Sequence, residues 1–165
     1  IYGLVNNAGV NDGVGIEAGP AAFRASLDRN LIHYYTLVHL LAEDLKSQTG
    51  AIVNISSIAG IMGGPSAGGE GARRSGPAYA ASKGGVIALT KWIAKDYGQY
   101  GITCNPVAPG PSASAMTASL NSDFSQQFIK NVGDPIDIAE AVAYAAGAPF
   151  LTGQVIRVCG GAAVG

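Results

Sequence analysis

The stretch Tyr79-Ala80-Ala81-Ser82-Lys83 places a tyrosine and a lysine four residues apart. Apolar residues around it recur at helical spacing, which predicts a helix from Ala78 to Tyr97. In such a helix the two side chains share a face. An ammonium beside a tyrosine favours the phenolate and lowers its pKa, so that the phenol can exchange a proton with an alcohol or a carbonyl. The alternative interpretation is an exposed pair of side chains at i and i+4 on the surface of a helix.

Strand-like runs alternate with helical segments along the chain, which predicts an α/β fold with a parallel sheet. The predicted strands are Ile1–Asn6, Ala51–Ser56, Ile102–Ala108 and Gln154–Val158. The predicted helices are Ala21–Lys46, Ala78–Tyr97 and Pro135–Ala146, with Asp134 as N-cap of the last. A length of 165 residues allows one domain, residues 1–165, with a core of its own.

The composition argues against several classes of function. The net charge of −1 provides no basic surface for nucleic acid. No apolar stretch approaches the ~20 residues that span a bilayer, and the start of the chain has no signal-peptide pattern. We therefore expect a cytoplasmic protein without a membrane or nucleic-acid partner. Only 13% of residues are charged, which favours helix faces that pack against other subunits.

Neither the cysteines nor the histidines form a metal-ligand pattern. Cys104 and Cys159 are isolated, so we expect two reduced core thiols. His33 and His39 are six residues apart on a predicted helix and do not share a face. We therefore predict no metal site.

Further motifs accompany the tyrosine–lysine pair. In chain order they are Asn6-Asn7-Ala8-Gly9, Asn30 to Tyr35, Ile52 to Ser57, Asn105 to Gly110 and Thr152 to Gly161. Together they resemble the short-chain dehydrogenase/reductase superfamily over nearly the whole chain. The resemblance implies part of a doubly wound, Rossmann-like sheet. It also implies hydride transfer between NAD or NADP and a small-molecule carbonyl/alcohol substrate.

The resemblance implies catalytic roles for four residues. Tyr79 is the acid/base, and Lys83 lowers its pKa and holds the nicotinamide ribose hydroxyls. Ser57 binds the reacting oxygen, with Ser56 as the alternative. Asn30 supports a water molecule in the proton relay of the family.

The resemblance also implies cofactor contacts after two strands. The residues expected beside the adenosine are Asn7, Ala8 and Gly9. The residues expected in the loop that binds the nicotinamide carboxamide are Pro109, Gly110, Ser112 and Ser114. The family often has threonine in place of Ser114, and serine keeps the hydroxyl group.

The chain departs from the family at two places. Family members open with a strand, a glycine-rich turn and a helix that bind the cofactor pyrophosphate, whereas Ile1 to Val5 resembles the fourth strand. We therefore expect the catalytic part without the N-terminal cofactor-binding βαβ part. The second departure is a long segment, Gly63 to Gly76, between Ser57 and Tyr79. It is either a lid over the substrate or a tolerated surface insertion.

The substrate remains open between two classes. The region from Gly3 to Ser57 resembles sugar dehydrogenases of the L-fucose type, and the second half resembles 3-oxoacyl-carrier-protein reductases. We rank a sugar or polyol first. A third hypothesis is a non-catalytic remnant that acts only in subunit association. Because family members commonly form dimers and tetramers through two long helices, we expect a homo-oligomer.

Overall fold

In a computed structural model of the chain, residues 1–64, 75–114 and 127–164 are described. Within these ranges four strands form one parallel sheet in the order β1-β2-β3-β4. The strands are β1 Gly3–Asn6, β2 Ala51–Ile55, β3 Thr103–Pro109 and β4 Ile156–Val158. Each predicted run overlaps one of them, and the predicted α/β fold is confirmed.

Helices connect successive strands. The helices are α1 Gly19–Leu27, α2 His33–Leu40, α3 Ala42–Gln48, α4 Ala59–Met62, α5 Pro77–Tyr97 and α6 Pro135–Gly147. The predicted second and third helices are therefore confirmed as α5 and α6. Asp134 caps α6 as predicted, because its carboxylate accepts a hydrogen bond from the Ile136 N–H at 3.0 Å. None of the helices in these ranges has the length and apolar character needed to cross a membrane.

The helix predicted from Ala21 to Lys46 is wrong as a continuous element. Residues Asp28–Ile32 form a π-helical turn between α1 and α2. The backbone leaves helical geometry again at Leu41, where φ is −101° and ψ is 8°. Inside the π-turn, the Asn30 amide donates to the Ser26 carbonyl at 3.0 Å and competes with the backbone for that acceptor. Apolar spacing does not reveal such a local widening, which is common at functional sites.

Apolar residues fill both faces of the sheet. On one face Ile52 of β2 and Cys104 of β3 pack with Ile93 of α5. On the other face Val53 and Val107 pack against α6. Successive residues of β2 thus point to opposite faces, as strand geometry requires. Cys104 is a core thiol as predicted, whereas Cys159 is only half-buried.

Buried asparagines link the strands through their side chains. The Asn6 side chain of β1 donates to the side-chain oxygen (Oδ1) of Asn54 in β2 at 2.7 Å, and the Asn54 side chain donates to the Thr90 hydroxyl of α5 at 2.9 Å. Asn105 of β3 donates to the Leu151 carbonyl at 2.6 Å. These bonds pair most of the polar groups of the three asparagines, with the Asn6 Oδ1 atom as a buried exception, and they fix the relative positions of the strands and α5.

The two residues that flank the range 65–74 lie side by side. A Cβ atom built on Gly64 would be 2.7 Å from the Ser75 hydroxyl. Gly64 itself has a positive φ of 89°, which favours glycine. Most of the segment Gly63 to Gly76, which is either a lid or a tolerated surface insertion, lies outside the described residues.

We predict that Asn54→Leu lowers the free energy of unfolding by about 1–3 kcal/mol, because the buried Asn6 amide loses its acceptor. Urea denaturation of the full chain measures the change. Asn131→Leu replaces an exposed asparagine and should stay within about 0.5 kcal/mol of wild type. Equal stability of wild type and Asn54→Leu would contradict the prediction.

Candidate active site

The predicted site residues gather where the parallel strands end. Asn7 follows β1, Ser57 follows β2, and Gly110 follows β3. Backbone hydrogen bonds hold these ends together, including Ile58 N–H to the Pro109 carbonyl at 3.0 Å. The carboxyl edge of an open parallel sheet is where α/β proteins bind ligands.

Helix α5 brings Tyr79 to Ser57. The Ser57 side chain hydrogen-bonds the half-buried Tyr79 hydroxyl, and its oxygen also accepts from the Ala59 N–H at 3.1 Å. Ser56 is buried and points elsewhere, donating to the Lys83 carbonyl at 2.8 Å. The structure therefore places Ser57, and not Ser56, against the phenol.

Close packing of α4 on α5 positions Ser57. A Cβ atom at Gly60 would collide with the backbone of Lys83. Glycine at position 60 therefore lets the segment after β2 lie directly on the helix that contains Tyr79. This contact explains why a serine on one element and a tyrosine on another can meet.

Lys83 is buried on the same helix as Tyr79. Its ammonium donates to the Ile55 carbonyl at 2.8 Å and to the Tyr34 hydroxyl at 3.2 Å. It lies 5.8 Å from the centroid of the Tyr79 ring. Burial disfavours its charged form and lowers the pKa of Lys83 to about 8.

The pKa of Tyr79 departs from the predicted direction. We predicted a lowered value, but burial of the phenol raises the pKa of Tyr79, and the hydrogen bond from Ser57 opposes this only in part. The physical reason is that phenolate formation in a partly desolvated site costs more than the neighbouring groups return. Near neutral pH Tyr79 is therefore a protonated phenol.

Asn30 is buried in the π-turn and holds the loop after β1. Its side-chain oxygen accepts from the Val10 N–H at 2.8 Å. A Cβ atom on Gly9 would be 3.0 Å from this oxygen and 3.2 Å from the Lys83 nitrogen. Asn30 and Lys83 thus flank Gly9, which brings Asn30 to the site, while its support of a relay water stays a prediction.

The other predicted cofactor residues lie at the same sheet edge in varied settings. Asn7 and Ala8 are exposed, Pro109 and Ser112 are half-buried, and Ser114 is exposed. Gly110 lies so close to Cys159 that an added Cβ would be 2.7 Å from its Cα atom. The structure therefore gathers two groups of candidate residues at the ends of β1 and β3, and their cofactor contacts stay predictions.

Tyr34 is a site residue that the sequence analysis missed. It follows Asn30 by four residues, so both lie on one helix face toward Lys83. Its hydroxyl lies 2.9 Å from the Ile55 carbonyl and 3.2 Å from the Ala8 carbonyl. The spacing from Asn30 was the available signal, but a tyrosine on an apolar helix face gives no indication of its partners.

The next question is whether metal-binding side chains cluster in the described part of the chain. No group of three or more histidine, cysteine, aspartate or glutamate side chains there could hold an ion. Instead, the Ser57 and Tyr79 side chains are hydrogen-bonded to each other, and Nζ of Lys83 lies 5.8 Å from the centroid of the Tyr79 ring.

Known proteins share this architecture. Residues 1–125 match the family model described as short chain dehydrogenase. The chain is 37% identical to 3-oxoacyl-(acyl-carrier-protein) reductases of Staphylococcus epidermidis and of Synechocystis, over 96% of the chain in both cases. It spans 65% and 63% of the length of those relatives.

Solved structures give the same result. A 3-oxoacyl-(acyl-carrier-protein) reductase from Brucella melitensis superposes with a TM-score of 0.85 at 29% identity, covering 97% of this chain and 62% of that protein. A 4-hydroxyisoleucine dehydrogenase complexed with NADH and succinate also gives 0.85, at 30% identity, covering 99% of this chain and 69% of that protein.

We predict that Ser57→Ala raises the pKa of Tyr79 further, because the hydrogen bond that favours the phenolate is lost. The ultraviolet titration of tyrosinate, taken as a difference from Tyr79→Phe, measures this value. Ser56→Ala is the matched control and should leave the Tyr79 titration unchanged. A Tyr79 titration that is identical in Ser57→Ala and wild type would refute the assignment.

Proposed function

Because the chain belongs to the short chain dehydrogenase family, we propose that it is an oxidoreductase that transfers hydride between NAD or NADP and a carbonyl/alcohol substrate. The observation that supports this most directly is the contact between Ser57 and Tyr79, with Lys83 on the same helix. This set meets the needs of carbonyl chemistry, namely a proton donor and a second hydrogen-bonding group for the reacting oxygen.

The residues present fit the nicotinamide half of such a cofactor. Two of the three N–H bonds of Lys83 point to Ile55 and Tyr34, which leaves the third for a ribose hydroxyl. Gly9 has no side chain, so the backbone beside Lys83 can approach a ligand closely. The residues proposed to hold the cofactor are Asn7, Ala8, Gly9, Tyr79, Lys83, Pro109, Gly110, Ser112 and Ser114.

The chain's own residues would act on the substrate oxygen. The bound nicotinamide supplies or accepts the hydride. Ser57 hydrogen-bonds the carbonyl oxygen and stabilises the negative charge that develops there. Tyr79 donates its phenolic proton to this oxygen during reduction and recovers it from the alcohol during oxidation.

The raised pKa of Tyr79 determines which form of its hydroxyl group is present near neutral pH. A protonated phenol is the form that donates, so the site is ready for carbonyl reduction near neutral pH. Alcohol oxidation requires the phenolate and should become faster as the pH rises. We therefore propose that Tyr79 is in the proton-donating form that carbonyl reduction requires at neutral pH.

For the substrate we propose a 3-oxoacyl thioester ahead of a sugar, which reverses the order expected from the sequence. The relatives and one solved structure named above are 3-oxoacyl-(acyl-carrier-protein) reductases. An open cavity of about 350 Å³ also lies beside the start of α5, lined by Ile16, Pro20, Phe23 and Pro77 with Arg24. The walls of this cavity are mostly apolar, but they include none of Ser57, Tyr79 and Lys83, so the preference for a thioester rests on the relatives.

A role in subunit association is the second candidate. Tyr35 and Leu40 of α2 and Trp92 of α5 are large apolar side chains that are exposed in the chain. Exposed apolar groups on two helices favour the proposed dimer or tetramer. Light scattering of the purified chain tests this, and a strictly monomeric protein would refute it.

We predict that the full chain reduces an acetoacetyl thioester with NADH or NADPH, and that Tyr79→Phe lowers kcat/KM by about 10²-fold or more, because the proton donor is lost. The absorbance of the reduced nucleotide measures turnover. Tyr144→Phe changes an exposed tyrosine of α6 and should keep the wild-type rate.

Three outcomes separate the candidates. Turnover of L-fucose without turnover of the thioester would favour the sugar substrate. The fluorescence of the reduced nucleotide measures binding. Absence of saturable NADH and NADPH binding would favour the non-catalytic role. Equal rates of Tyr79→Phe and wild type would remove Tyr79 from the proposed chemistry.

A further inference from the structure

Tyr34 is a fully buried phenol that the proposed chemistry does not use. It lies in the first turn of α2, directly after the π-turn. Its hydroxyl group lies 3.2 Å from Nζ of Lys83, 2.9 Å from the Ile55 carbonyl and 3.2 Å from the Ala8 carbonyl. The hydroxyl oxygen of Tyr34 is thus within hydrogen-bond distance of the lysine and of backbone carbonyls at or just after the ends of β1 and β2.

We infer that Tyr34 is a positioning residue for Lys83, whose hydroxyl receives the lysine ammonium and directs it toward the nicotinamide ribose and Tyr79. The inference rests on the proposed function, because it specifies how Lys83 is held for that reaction. Without the Tyr34 oxygen, the ammonium keeps the Ile55 carbonyl as its partner.

Hydrogen-bond accounting fixes the direction of this network. An ammonium only donates, whereas a neutral phenol donates one hydrogen and accepts at its oxygen. Lys83 must therefore donate to Tyr34, and Tyr34 must donate onward to the Ile55 or Ala8 carbonyl. Both steps stabilise the charged form of Lys83 in a buried place.

The Tyr34 ring adds a second contact. Nζ of Lys83 lies 5.2 Å from the centroid of this ring, within the range of a cation–π attraction. A phenylalanine at position 34 keeps that contact and removes only the oxygen. Tyr34→Phe therefore isolates the hydrogen bond.

The protonation state of Tyr34 supports positioning rather than acid/base work. Burial is the main reason that the pKa of Tyr34 lies well above its ordinary value, and Tyr79 adds to the effect. Tyr34 thus stays neutral and serves Lys83 as a hydrogen-bond acceptor. Among the described residues, the ionisable groups that face the Tyr34–Lys83 pair are Tyr79 of α5 and His33 of α2. The ring centroid of His33 is 4.4 Å from that of Tyr34.

The experiment compares Tyr34→Phe with the control Tyr144→Phe, which makes the same chemical change at an exposed tyrosine of α6. We expect the pKa of Lys83 to fall below its wild-type value in Tyr34→Phe, because the ammonium loses a partner. The carbon-13 shift of the lysine Cε, assigned with Lys83→Met, measures it. The same comparison in a His33→Gln background removes any contribution from the histidine charge.

Kinetics provide the second measurement. We expect kcat/KM in Tyr34→Phe to fall about ten-fold, the size expected for one lost hydrogen bond to a charged group. The pH at which alcohol oxidation reaches half its maximum should rise, because fewer Lys83 side chains are charged near Tyr79. Tyr144→Phe should leave both quantities unchanged.

The outcomes for Tyr34 and for the proposed function are separable. An unchanged Lys83 titration in Tyr34→Phe overturns the inference, whatever the rates are. Absence of turnover in wild type removes the proposed function and leaves the titration to decide on Tyr34. If Tyr34→Phe does not fold, 3-fluorotyrosine at position 34 keeps the shape, weakens the oxygen as an acceptor and should lower the pKa of Lys83.

Discussion

The hydrogen bond from the Lys83 ammonium to the Ile55 carbonyl joins helix α5 to the carboxyl end of β2. A buried charge needs such partners, because desolvation alone would neutralise it. The bond fixes the orientation of α5 on the sheet, and with it the position of Tyr79 one turn earlier. Gly60 completes the arrangement by letting the segment after β2 touch the same helix. The geometry of the candidate site thus follows from the packing of one helix on one strand end.

The polar residues of the core serve a different purpose from those of the site. Asn54 bonds to its neighbours through its amide, and these partners are themselves buried. Asn30, a predicted site residue, also uses its amide, and its oxygen holds the loop after β1 by accepting from the Val10 N–H. Such satisfied amides specify one arrangement of the strands and loops, which apolar packing alone would leave less defined. The rigid frame then presents Ser57 and Tyr79 at fixed places.

Much of the fold and part of the site could be predicted from the sequence, for reasons that differ between elements. Helix α5 and the strands have strong hydrophobic patterns, and the predictions for them are confirmed. The N-cap at Asp134 is also confirmed, because it depends on a local sequence signal. The π-turn around Asn30 was not, because one extra residue in a turn leaves apolar spacing nearly unchanged. The pKa of Tyr79 and the contact of Tyr34 with Lys83 depend on burial by distant segments. No pattern within either segment records that burial.

The neighbouring positions of Gly64 and Ser75 have a consequence for how such a protein can diversify. Because the chain leaves and returns at one point, residues can be added or removed there without moving α4 or α5. The entropic cost of closing a longer loop grows only slowly with its length. Evolution can therefore vary this segment by insertion and deletion, a larger step than point substitution, while Ser57 and Tyr79 keep their geometry. The position between Gly64 and Ser75 is thus a place where one scaffold can be adapted to new substrates.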